Sequence, residues 1–553
     1  MNNSARSLSQ SALMITAISA CGKILGLLRE STFAAFYGAT AESDAYKTAF
    51  SIPMVLLVVI SSSIASIFIP VYSELAQSND KDKIMYFTNN IFNIVLFTSI
   101  GITVLCMPLV PGLIRVMAPG FDAYTYRLTV LLARIALPCL IFQALFNLGS
   151  SYLQSNNRFI ASALAWVVYD GIIIGGIILL NGKGIIPVAV ASVAAVAGLF
   201  ATLIFSIYKT GFRYHFIFDL NEAGVKRIAY LIVPVLLSSG LNQIHTVVDK
   251  ILASGLDEGS ISALDYANRL DNVVFNVFIL SFITVIYPNL SMASGHMERF
   301  KSSVEKGIRM IMLIALPTTF RLSILRIPII NLLFERGLFD ARDTALTSMA
   351  LGCYSLGIVG VGFRELLSRA FYSLQDTRTP MMNGVIAICT NIILSIILVR
   401  ILGVGGLAMA ASLSAIVSGG MLFLQLRKKI GNINEKGIVA AGLRIFTAAA
   451  VMGAVIYYLN NNYFGCSLQM DSLLARAAKL ASNIGIGGIV YILMLHLLKV
   501  KEAYEASAIV KEKLKQVLKI FSAGCYENEG SRNNTGKVQI NQVPREAAGR
   551  PMR

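Results

Sequence analysis

Three charged residues, Lys23, Arg29 and Glu30, lie in an otherwise apolar stretch that is long enough to cross a lipid bilayer. A charge at mid-membrane depth costs roughly 2.5–3.5 kcal/mol on insertion scales, so it is seldom kept on a lipid-facing surface. We therefore expect this segment to line a polar cavity in which the cations bind an anion. The alternative is an internal salt bridge, between Arg29 and Glu30 or between Arg29 and an acid on another helix.

The composition of the chain predicts an all-α polytopic membrane protein. The 553 residues are 56% hydrophobic and 14% charged, whereas soluble domains have about 25% charged residues, and the mean hydropathy is +0.68. The net charge of +17 does not indicate nucleic-acid binding, because lysine and arginine concentrate in the cytoplasmic loops of membrane proteins. The seven cysteines occur singly, without a CxxC pair, and predict neither a metal site nor a disulfide framework.

Apolar segments of about 20 residues, the length that crosses the hydrocarbon core, recur from end to end. They predict about fourteen transmembrane helices, near residues 11–37, 45–71, 84–112, 124–149, 158–181, 186–209, 228–254, 264–290, 304–334, 345–374, 380–402, 405–427, 437–460 and 473–499.

The charges of the loops between these segments predict the orientation of the chain. Basic residues concentrate in alternate loops, around residues 158, 209–227, 299–306, 378 and 427–436, while the intervening loops are short and acidic or mixed. Since basic loops stay in the cytoplasm, we expect both termini to be cytoplasmic.

Beyond residue 500 the sequence predicts two segments that do not span the membrane. Residues 501–523 place apolar residues at helical spacing among lysines, which is typical of an amphipathic segment on the cytoplasmic membrane surface. A solvated helical end is the alternative. Residues 524–553 show no periodicity, and we expect them to be disordered.

Short motifs recur along the chain at an offset of roughly 220 residues. They are SYLQSNNRF and FYSLQDTRTP, FIPVYSELA and VIYPNLSMA, and SDAYKTA and LDYANRL. Many transporters are built from duplicated bundles. We therefore predict two homologous six-helix lobes, residues 1–215 with helices 1–6 and residues 216–430 with helices 7–12. Helices 13 and 14, residues 431–500, would be an addition to this repeat.

The repeat places Arg29 and Glu30 opposite Asp249 and Lys250, so the first helices of the two lobes carry inverted charge pairs. We hypothesise that these residues face one another across a central cavity and close it by salt bridges. Asp44, at the outer start of the second span, is a further candidate gate residue that would pair with a cation. An ordinary loop acid is the alternative for Asp44.

Further basic residues are candidates for binding an anionic substrate. Arg269 is expected at a depth similar to that of Arg29, so the two arginines would converge on one ligand. Their planar forks suit phosphate oxygens, and Lys23 would serve as a point charge. The alternative for Arg269 is an interfacial side chain that reaches the outer head groups. Arg364 and Arg369, towards the inner end of the tenth span, would form a cytoplasmic access site or an inner-edge anchor.

A cation site is expected deeper in the second lobe. His245 precedes Asp249 by one helical turn, and Asn391 precedes Ser395 by one turn, so each pair shares a helical face. Asp249, Asn391 and Ser395 would hold a monovalent cation and couple transport to sodium or protons. Satisfied internal hydrogen bonds are the alternative.

Catalytic motifs are not found. The sequence contains no Walker loop, HExxH or GxSxG pattern, so we predict that the protein is not an enzyme and that ATP bound to this chain does not drive transport. No cofactor is expected. Asp170 and Arg321 are further charges inside apolar segments, and the sequence assigns neither a role.

The stretch GKILGLLRESTFAAFYGATAESDAYKTAFSIP, together with DYANRL and FYSLQDTRTP, resembles the MurJ/MviN family of lipid II flippases in the MOP transporter superfamily. The resemblance covers roughly residues 10–500. It implies fourteen helices and transport of an undecaprenyl-pyrophosphate-linked peptidoglycan precursor from the inner to the outer leaflet by alternating access.

The resemblance also implies roles for individual residues. The cavity arginines of the family map to Arg29 and Arg269, with Lys23 where an arginine is usual. Asp44 maps to the acid at the outer end of helix 2, and Asp249 to the acid of helix 7. The suspected cation site maps to Asp249 and Asn391, with Ser395 where an acid can occur. Asn268 stands where an aspartate is common, and the segment MVLLVVISSS lacks the charges that many relatives carry early in helix 2.

The function predicted first is therefore a lipid II flippase in the cytoplasmic membrane of a bacterium. Its partners would be the polyprenyl-pyrophosphate-linked glycan and membrane lipids, not nucleic acid, and we expect a monomer. The membrane potential would favour outward movement of an anionic head group at roughly 2.3 kcal/mol per charge per 100 mV. The alternatives are a flippase for another polyprenyl-pyrophosphate oligosaccharide, a drug or cation antiporter of the MOP superfamily, and a non-transporting scaffold.

Overall fold

The computed structural model describes residues 2–77, 80–464 and 472–504. Its regular elements in these ranges are helices, as the sequence predicts. They are α1 (Asn2–Tyr37), α2 (Ala41–Gln77), α3 (Lys81–Met117), α4 (Ala123–Ala136), α5 (Cys139–Ser155), α6 (Ile160–Leu179), α7 (Ile185–Tyr208), α8 (Ala223–Ala253), α9 (Ser260–Val274), α10 (Ser281–Ala293), α11 (Met297–Leu333), α12 (Ala341–Ser355), α13 (Ile358–Ser373), α14 (Arg378–Leu402), α15 (Val404–Ile430), α16 (Glu435–Leu459) and α17 (Leu473–Leu497).

Several predicted spans consist of two consecutive helices. α4 and α5 meet at Pro138, which lacks the N–H that would continue the helical ladder, and α9 continues into α10 through the π-helical turn Phe275–Leu280. α12 and α13 meet at an angle of 42°. These breaks were not predicted, because hydropathy reports the length of an apolar segment but not its backbone geometry.

Ten helical segments of the described ranges are long and apolar enough to cross a membrane, or eleven if α12 and α13 form one span. The long helices α1, α2 and α8 are not among these segments. The prediction of an all-α polytopic membrane protein is confirmed, and the number fourteen stays a prediction. Apart from the helical residues 501–504, the predicted amphipathic segment 501–523 and the tail 524–553 lie outside the described residues.

The buried apolar side chains form three clusters, and one of these is shared by the two halves of the chain. One cluster joins both halves of the chain, with Phe33 and Ile52 from the first half and Tyr266 and Phe334 from the second. The second cluster lies mainly around α3, α5 and α7 and includes Val225 at the start of α8, and the third lies around α11, α13, α16 and α17. The main core shared by the halves α1–α7 and α8–α15 therefore lies at one end, while the start of α8 also contacts the first half through the Arg227–Glu74 ion pair and the Asn90–Glu222 hydrogen bond.

We call this end the closed end. It contains the turns at residues 38–40, 118–122, 254–259 and 334–340, which connect α1 to α2, α3 to α4, α8 to α9 and α11 to α12. The assignment of residues 1–215 and 216–430 to homologous lobes, with 431–500 as an addition, stays a prediction. The cavities described below lie between and within the two halves.

Candidate functional site

A central cavity of about 550 Å³ lies between the two halves and is walled by α1, α2, α6, α8 and α9. Basic side chains outnumber acidic ones on its wall. The basic residues are Lys23, Arg29, Lys47, Lys250 and Arg269, and the acidic residues are Glu30 and Asp265. Such a cavity attracts an anionic ligand and disfavours a cationic one.

Arg29 lines this cavity and is also held by two acids. Its Nη1 lies 2.9 Å from Oδ1 of Asp170 on α6, and its Nη2 lies 3.0 Å from Oε1 of Glu30. The guanidinium also lies 5.2 Å from the ring centroid of Tyr169, a cation–π contact. The two interpretations offered by the sequence, a cavity position and an internal salt bridge, therefore both describe Arg29.

The carboxylate of Glu30 forms ion pairs with basic side chains from both halves. Besides Arg29, it lies 3.4 Å from Nζ of Lys47 on α2 and 3.3 Å from Nη1 of Arg269 on α9. The arginine of α9 is the more accessible of the two arginines, with 45% of its side chain exposed against 11% for Arg29. The structure thus brings Arg29 and Arg269 to one site, and their role in binding stays a prediction.

Sequence reasoning missed Lys47 and did not assign Asp170. Lys47 Nζ lies 3.6 Å from the ring centroid of Tyr266, so its charge is shared between a carboxylate and an aromatic face. A lysine one turn after Asp44 in an otherwise apolar helix was the signal that could have identified it. The pairing of Asp170 with Arg29 depends on how α1 and α6 are rotated against each other, which hydropathy does not report.

The remaining basic residues of the cavity have different surroundings. Lys23 also lines a smaller cavity of about 310 Å³, which Asp170 and Arg269 share. Lys250 is buried, and its Nζ donates to the backbone oxygen of Lys47 at 3.1 Å. The predicted salt bridge between Arg29 and Asp249 is not among the ion pairs of the described residues, because Arg29 is neutralised within its own half.

Asp44 joins the two halves at the closed end through hydrogen bonds to backbone groups. Its carboxylate accepts the backbone N–H groups of Gly259 and Ser262 at 2.8 and 2.7 Å, at the start of α9. The N–H groups of a helix start are unpaired within the helix and carry partial positive charge. The hydrogen-bond partner of Asp44 is thus a helix N-terminus from the other half, and a cationic partner for Asp44 stays a prediction.

Further hydrogen bonds cross the closed end, among them three that are donated by backbone N–H groups. Asp343 of α12 accepts the N–H of Ala39 at 2.8 Å, and Leu338 donates its N–H to the oxygen of Ala35 at 2.8 Å. The N–H of Gly120 donates to the hydroxyl of Ser254 at 3.2 Å. Backbone groups make most of these contacts, so the two halves must approach closely.

Glycines permit this approach. Gly259 has φ of 86°, and a Cβ there would lie 2.0 Å from the backbone oxygen of Ala39. Gly337 has φ of 62°, and its Cβ would lie 2.1 Å from the oxygen of Ala35. Both positions exclude a side chain by the left-handed backbone and by the neighbouring half.

Asp249 lies away from the central ion pairs. It lines a cavity of about 180 Å³, and Ser395 donates its hydroxyl to Oδ1 of Asp249 at 3.4 Å. Oδ1 of Asn391 is buried without a hydrogen-bond partner in the described part of the chain. Carboxylate, hydroxyl and amide oxygens fit a hard cation, whereas the described ranges contain no group of three or more His, Cys, Asp or Glu residues placed to hold a metal ion.

Arg364 and Arg369 of α13 lie outside the central cavity. Arg364 lines a separate cavity of about 650 Å³ within the second half. Nε and Nη2 of Arg369 both lie 3.1 Å from the Glu365 carboxylate, and its guanidinium lies 5.4 Å from the ring centroid of Tyr287. The contacts of Arg369 are those of a structural ion pair.

Comparison with known proteins identifies relatives along most of the chain. The family described as lipid II flippase MurJ matches residues 33–476. A Rickettsia prowazekii protein named probable lipid II flippase MurJ is 28% identical over 502 residues, which cover 89% of this chain and 98% of that protein. The lipid II flippase MurJ of Burkholderia cenocepacia is 24% identical over 506 residues, with coverage of 89% and 98%.

Solved structures also resemble this chain along most of its length. A lipid II flippase MurJ in an inward closed conformation superposes with a TM-score of 0.75 at 27% identity, covering 88% of this chain and 98% of that one. An inward-facing multidrug resistance transporter of the MATE family, in the MOP superfamily, superposes with a TM-score of 0.64 at 17% identity, covering 77% and 99%. The second likeness shows a shared fold. Since the family match extends over well more than half of the sequence, the chain belongs to the lipid II flippase MurJ family.

Proposed function

We propose that this protein is a lipid II flippase of the bacterial cytoplasmic membrane. The observation that carries the proposal is the excess of basic side chains in a cavity walled by both halves of a membrane protein. The diphosphate of the lipid-linked precursor would occupy this cavity, and alternating access would carry it from the inner to the outer leaflet. The names of the relatives support the same substrate.

The ion pairs of the cavity suggest how it accepts a diphosphate. Without substrate, Glu30 and Asp170 form ion pairs with Arg29, Lys47 and Arg269, so these three cations are not left unpaired at membrane depth. Arg269 is half-exposed and shares its acid with two other cations, so it would reach the diphosphate first. Arg29 would follow, because its planar fork can exchange one carboxylate for phosphate oxygens.

The closed end would face the periplasm. The loops of the opposite end carry the basic stretches 209–227, 299–306 and 427–436, and basic loops remain in the cytoplasm. The structure would then represent a state closed to the outside, with both termini cytoplasmic. Outward transfer of the anionic head group would be favoured by roughly 2.3 kcal/mol per charge per 100 mV. Membrane lipids would surround a monomer, and nothing in the proposal requires nucleic acid.

Depletion of the protein from its own cells tests the proposal. Lipid II should accumulate in the inner leaflet, because its head group would no longer be carried across. A leaflet-specific assay, in which only outer-leaflet lipid II is accessible to an added cleaving enzyme, measures this distribution. Re-expression of the unaltered chain should restore the accessible fraction. An unchanged distribution after depletion would overturn the proposal and would favour a drug or cation antiporter or a scaffold.

The identity of the glycan has an alternative. Asn268, which stands where an aspartate is common in the family, lines the central cavity. This substitution would also suit a flippase for another polyprenyl-pyrophosphate oligosaccharide. The same leaflet assay discriminates the two cargos, because only lipid II is the substrate of the cleaving enzyme. A cation antiporter is disfavoured by the basic lining of the central cavity.

We further propose that Asp249, Ser395 and Asn391 hold a monovalent cation or a proton that couples to transport. The Asp249→Asn variant should retain substrate binding but lose the dependence of transport on the sodium or proton gradient, because the only charge of this group is removed. Transport into vesicles with an imposed gradient measures this dependence. Asp257→Asn, at a largely exposed loop acid, is the control. A variant that keeps its gradient dependence would contradict the proposal.

A further inference from the structure

The segment between α7 and α8, residues 209–222, joins the two halves, and we call it the connector. All of its residues are described, and they form neither helix nor strand. Its middle reads YHFIF, which has no acidic residue, lysine or arginine. The aromatic side chains Tyr214, Phe216 and Phe218 of this stretch are 52%, 68% and 50% exposed. A group of exposed aromatic rings indicates an interaction surface.

Three asparagines of α3, Asn89, Asn90 and Asn93, hold the connector by its backbone. All three are fully buried, and their amides make hydrogen bonds of 2.7–3.4 Å to six backbone groups. These groups are the oxygen of Arg213, the N–H and oxygen of His215, the oxygen of Ile217, and the N–H and oxygen of Asp219. In a soluble loop, water would pair such groups. Lipid offers no hydrogen bonds, so non-helical backbone at membrane depth needs partners from the protein. The asparagines therefore favour a place for the connector where water is scarce.

The contacts with α3 give the depth of the aromatic stretch. Phe97 of α3 lies edge-on to Phe216 and Phe218, with ring centroids 5.9 and 5.7 Å apart. Phe97 precedes Arg115, near the closed end of this span, by eighteen residues, which is about 27 Å at a rise of 1.5 Å per residue. The hydrocarbon core of a bilayer is about 30 Å thick. With Arg115 at one head-group boundary, the three rings lie at the other.

The rings also continue the lipid-facing surface of α3. Ile100 and Val104 follow Phe97 at three and seven residues, on one face of the helix, and all three side chains are exposed. This helix is one of the segments long and apolar enough to cross a membrane. Aromatic side chains concentrate where the hydrocarbon core meets the head groups. The occupant that fits this continuous surface is therefore lipid.

Basic side chains surround the first part of the connector. Arg158, Lys209 and Arg213 are exposed, and Nη2 of Arg158 donates to the backbone oxygen of Lys209 at 3.2 Å. Nζ of Lys209 lies 4.3 Å from the ring centroid of Phe205, which is itself exposed. Cations beside apolar rings suit the phosphates of anionic head groups. The surface thus matches a lipid leaflet in charge as well as in polarity.

We propose that the connector is embedded at the head-group boundary of a lipid leaflet, with its three exposed rings against the first acyl carbons and Lys209 and Arg213 at the phosphates. In the orientation proposed above, this is the cytoplasmic leaflet. α8 follows the connector directly, and its Arg227 pairs with Glu74 of the first half at 2.6 Å. The lipid contact therefore holds the start of α8 at a fixed depth beside the first half, whatever the cargo.

Tryptophan fluorescence in vesicles tests this placement. The chain has a single tryptophan, Trp166, so the full-length Trp166→Phe/Phe216→Trp variant reports on the connector alone. The vesicles contain phosphatidylcholine with one-fifth phosphatidylglycerol, and the phosphatidylcholine is either unmodified or brominated at acyl carbons 6 and 7 or 11 and 12. The shallow bromines should quench the reporter at least twofold, and the deep bromines should quench it less. Because brominated lipid occupies both leaflets, the result does not depend on the orientation of the protein or on transport.

Two further reporters in the Trp166→Phe background calibrate the measurement. Leu105→Trp, at an exposed position eight residues beyond Phe97 in α3, should be quenched more by the deep bromines than by the shallow ones. His296→Trp, in the exposed turn before α11, should be quenched by aqueous iodide and not by either brominated lipid. Quenching of Phe216→Trp by iodide alone would overturn the proposal and would leave its surface to a soluble partner. Stronger quenching by the deep bromines would overturn the placement at the boundary.

A variant of the asparagines tests how the connector is kept there. Asn93→Ala removes the amide donor of two backbone oxygens, so the shallow quenching of Phe216→Trp should fall at least twofold and its quenching by iodide should rise. The Leu105→Trp reporter in the same variant should keep its quenching by deep bromines, which shows that α3 still spans the membrane. Unchanged shallow quenching of Phe216→Trp would contradict the assigned role of Asn93.

Discussion

Replacement of Arg29 by alanine should abolish transport of the lipid-linked precursor. Arg29 is the less exposed of the two arginines in the central cavity. Its guanidinium makes charge-assisted hydrogen bonds to Asp170 and Glu30, and phosphate oxygens of the substrate would replace these acceptors. A hydrogen bond to a charged group contributes about 1.5–3 kcal/mol, so affinity for undecaprenyl diphosphate should fall about tenfold to a hundredfold. Growth of cells that depend on this chain, together with the leaflet assay, measures the effect.

The same substitution also removes the counter-charge of Asp170, and this could destabilise the protein without any role in binding. Breaking a buried ion pair by removing one partner costs about 3–5 kcal/mol. The double variant Arg29→Ala/Asp170→Asn removes both charges, so it should regain much of the thermal stability but none of the transport. Asp170→Asn alone should keep measurable transport. Recovery of transport in the double variant would show that Arg29 serves only to neutralise Asp170.

The contrast between Arg29 and its partners shows what the sequence could predict. A charge within an apolar stretch is costly wherever the helix packs, so the sequence alone identified α1 as a cavity helix. The identity of the partner depends on tertiary packing. Asp170 is far from Arg29 along the chain, and Lys47 on α2 pairs with the neighbouring Glu30. No periodicity connects either residue to α1, so both contacts depend on how the helices pack in the folded protein.

The closed end shows a second limit of sequence reasoning. The sequence offered Asp44 as a gate residue paired with a cationic side chain, whereas its hydrogen-bond partners at this end are backbone N–H groups. The N–H groups of α9 carry no signature in residue type, and Ser260, where α9 begins, precedes the predicted span that starts near residue 264. A partner made of backbone atoms cannot be identified from the sequence until the start of its helix is known.

Substitution of Gly259 by alanine should prevent the closed end from forming. The added Cβ would lie 2.0 Å from the backbone oxygen of Ala39, a distance that only separation of the two halves relieves, because the obstacle is backbone rather than a flexible side chain. The hydrogen bonds of Gly259 and Ser262 to Asp44 would be lost together. We expect the variant to accumulate in a state open at this end and to lose transport, since the substrate site would no longer become accessible from the cytoplasmic side.

Labelling of a buried cysteine measures this opening. Ala263 is fully buried at the closed end, so an Ala263→Cys probe, in a protein whose native cysteines are replaced, should be protected from a membrane-impermeant maleimide added outside. Gly259→Ala should raise its labelling rate at least tenfold. Gly211→Ala is the matched control, because Gly211 has φ of 85° but no atom within 4 Å of the added Cβ. The Gly211→Ala substitution introduces the same backbone strain, of about 1–2 kcal/mol, but causes no clash. Equal labelling in the two variants would attribute the effect to strain and would contradict a role for close approach at Gly259 in sealing this end.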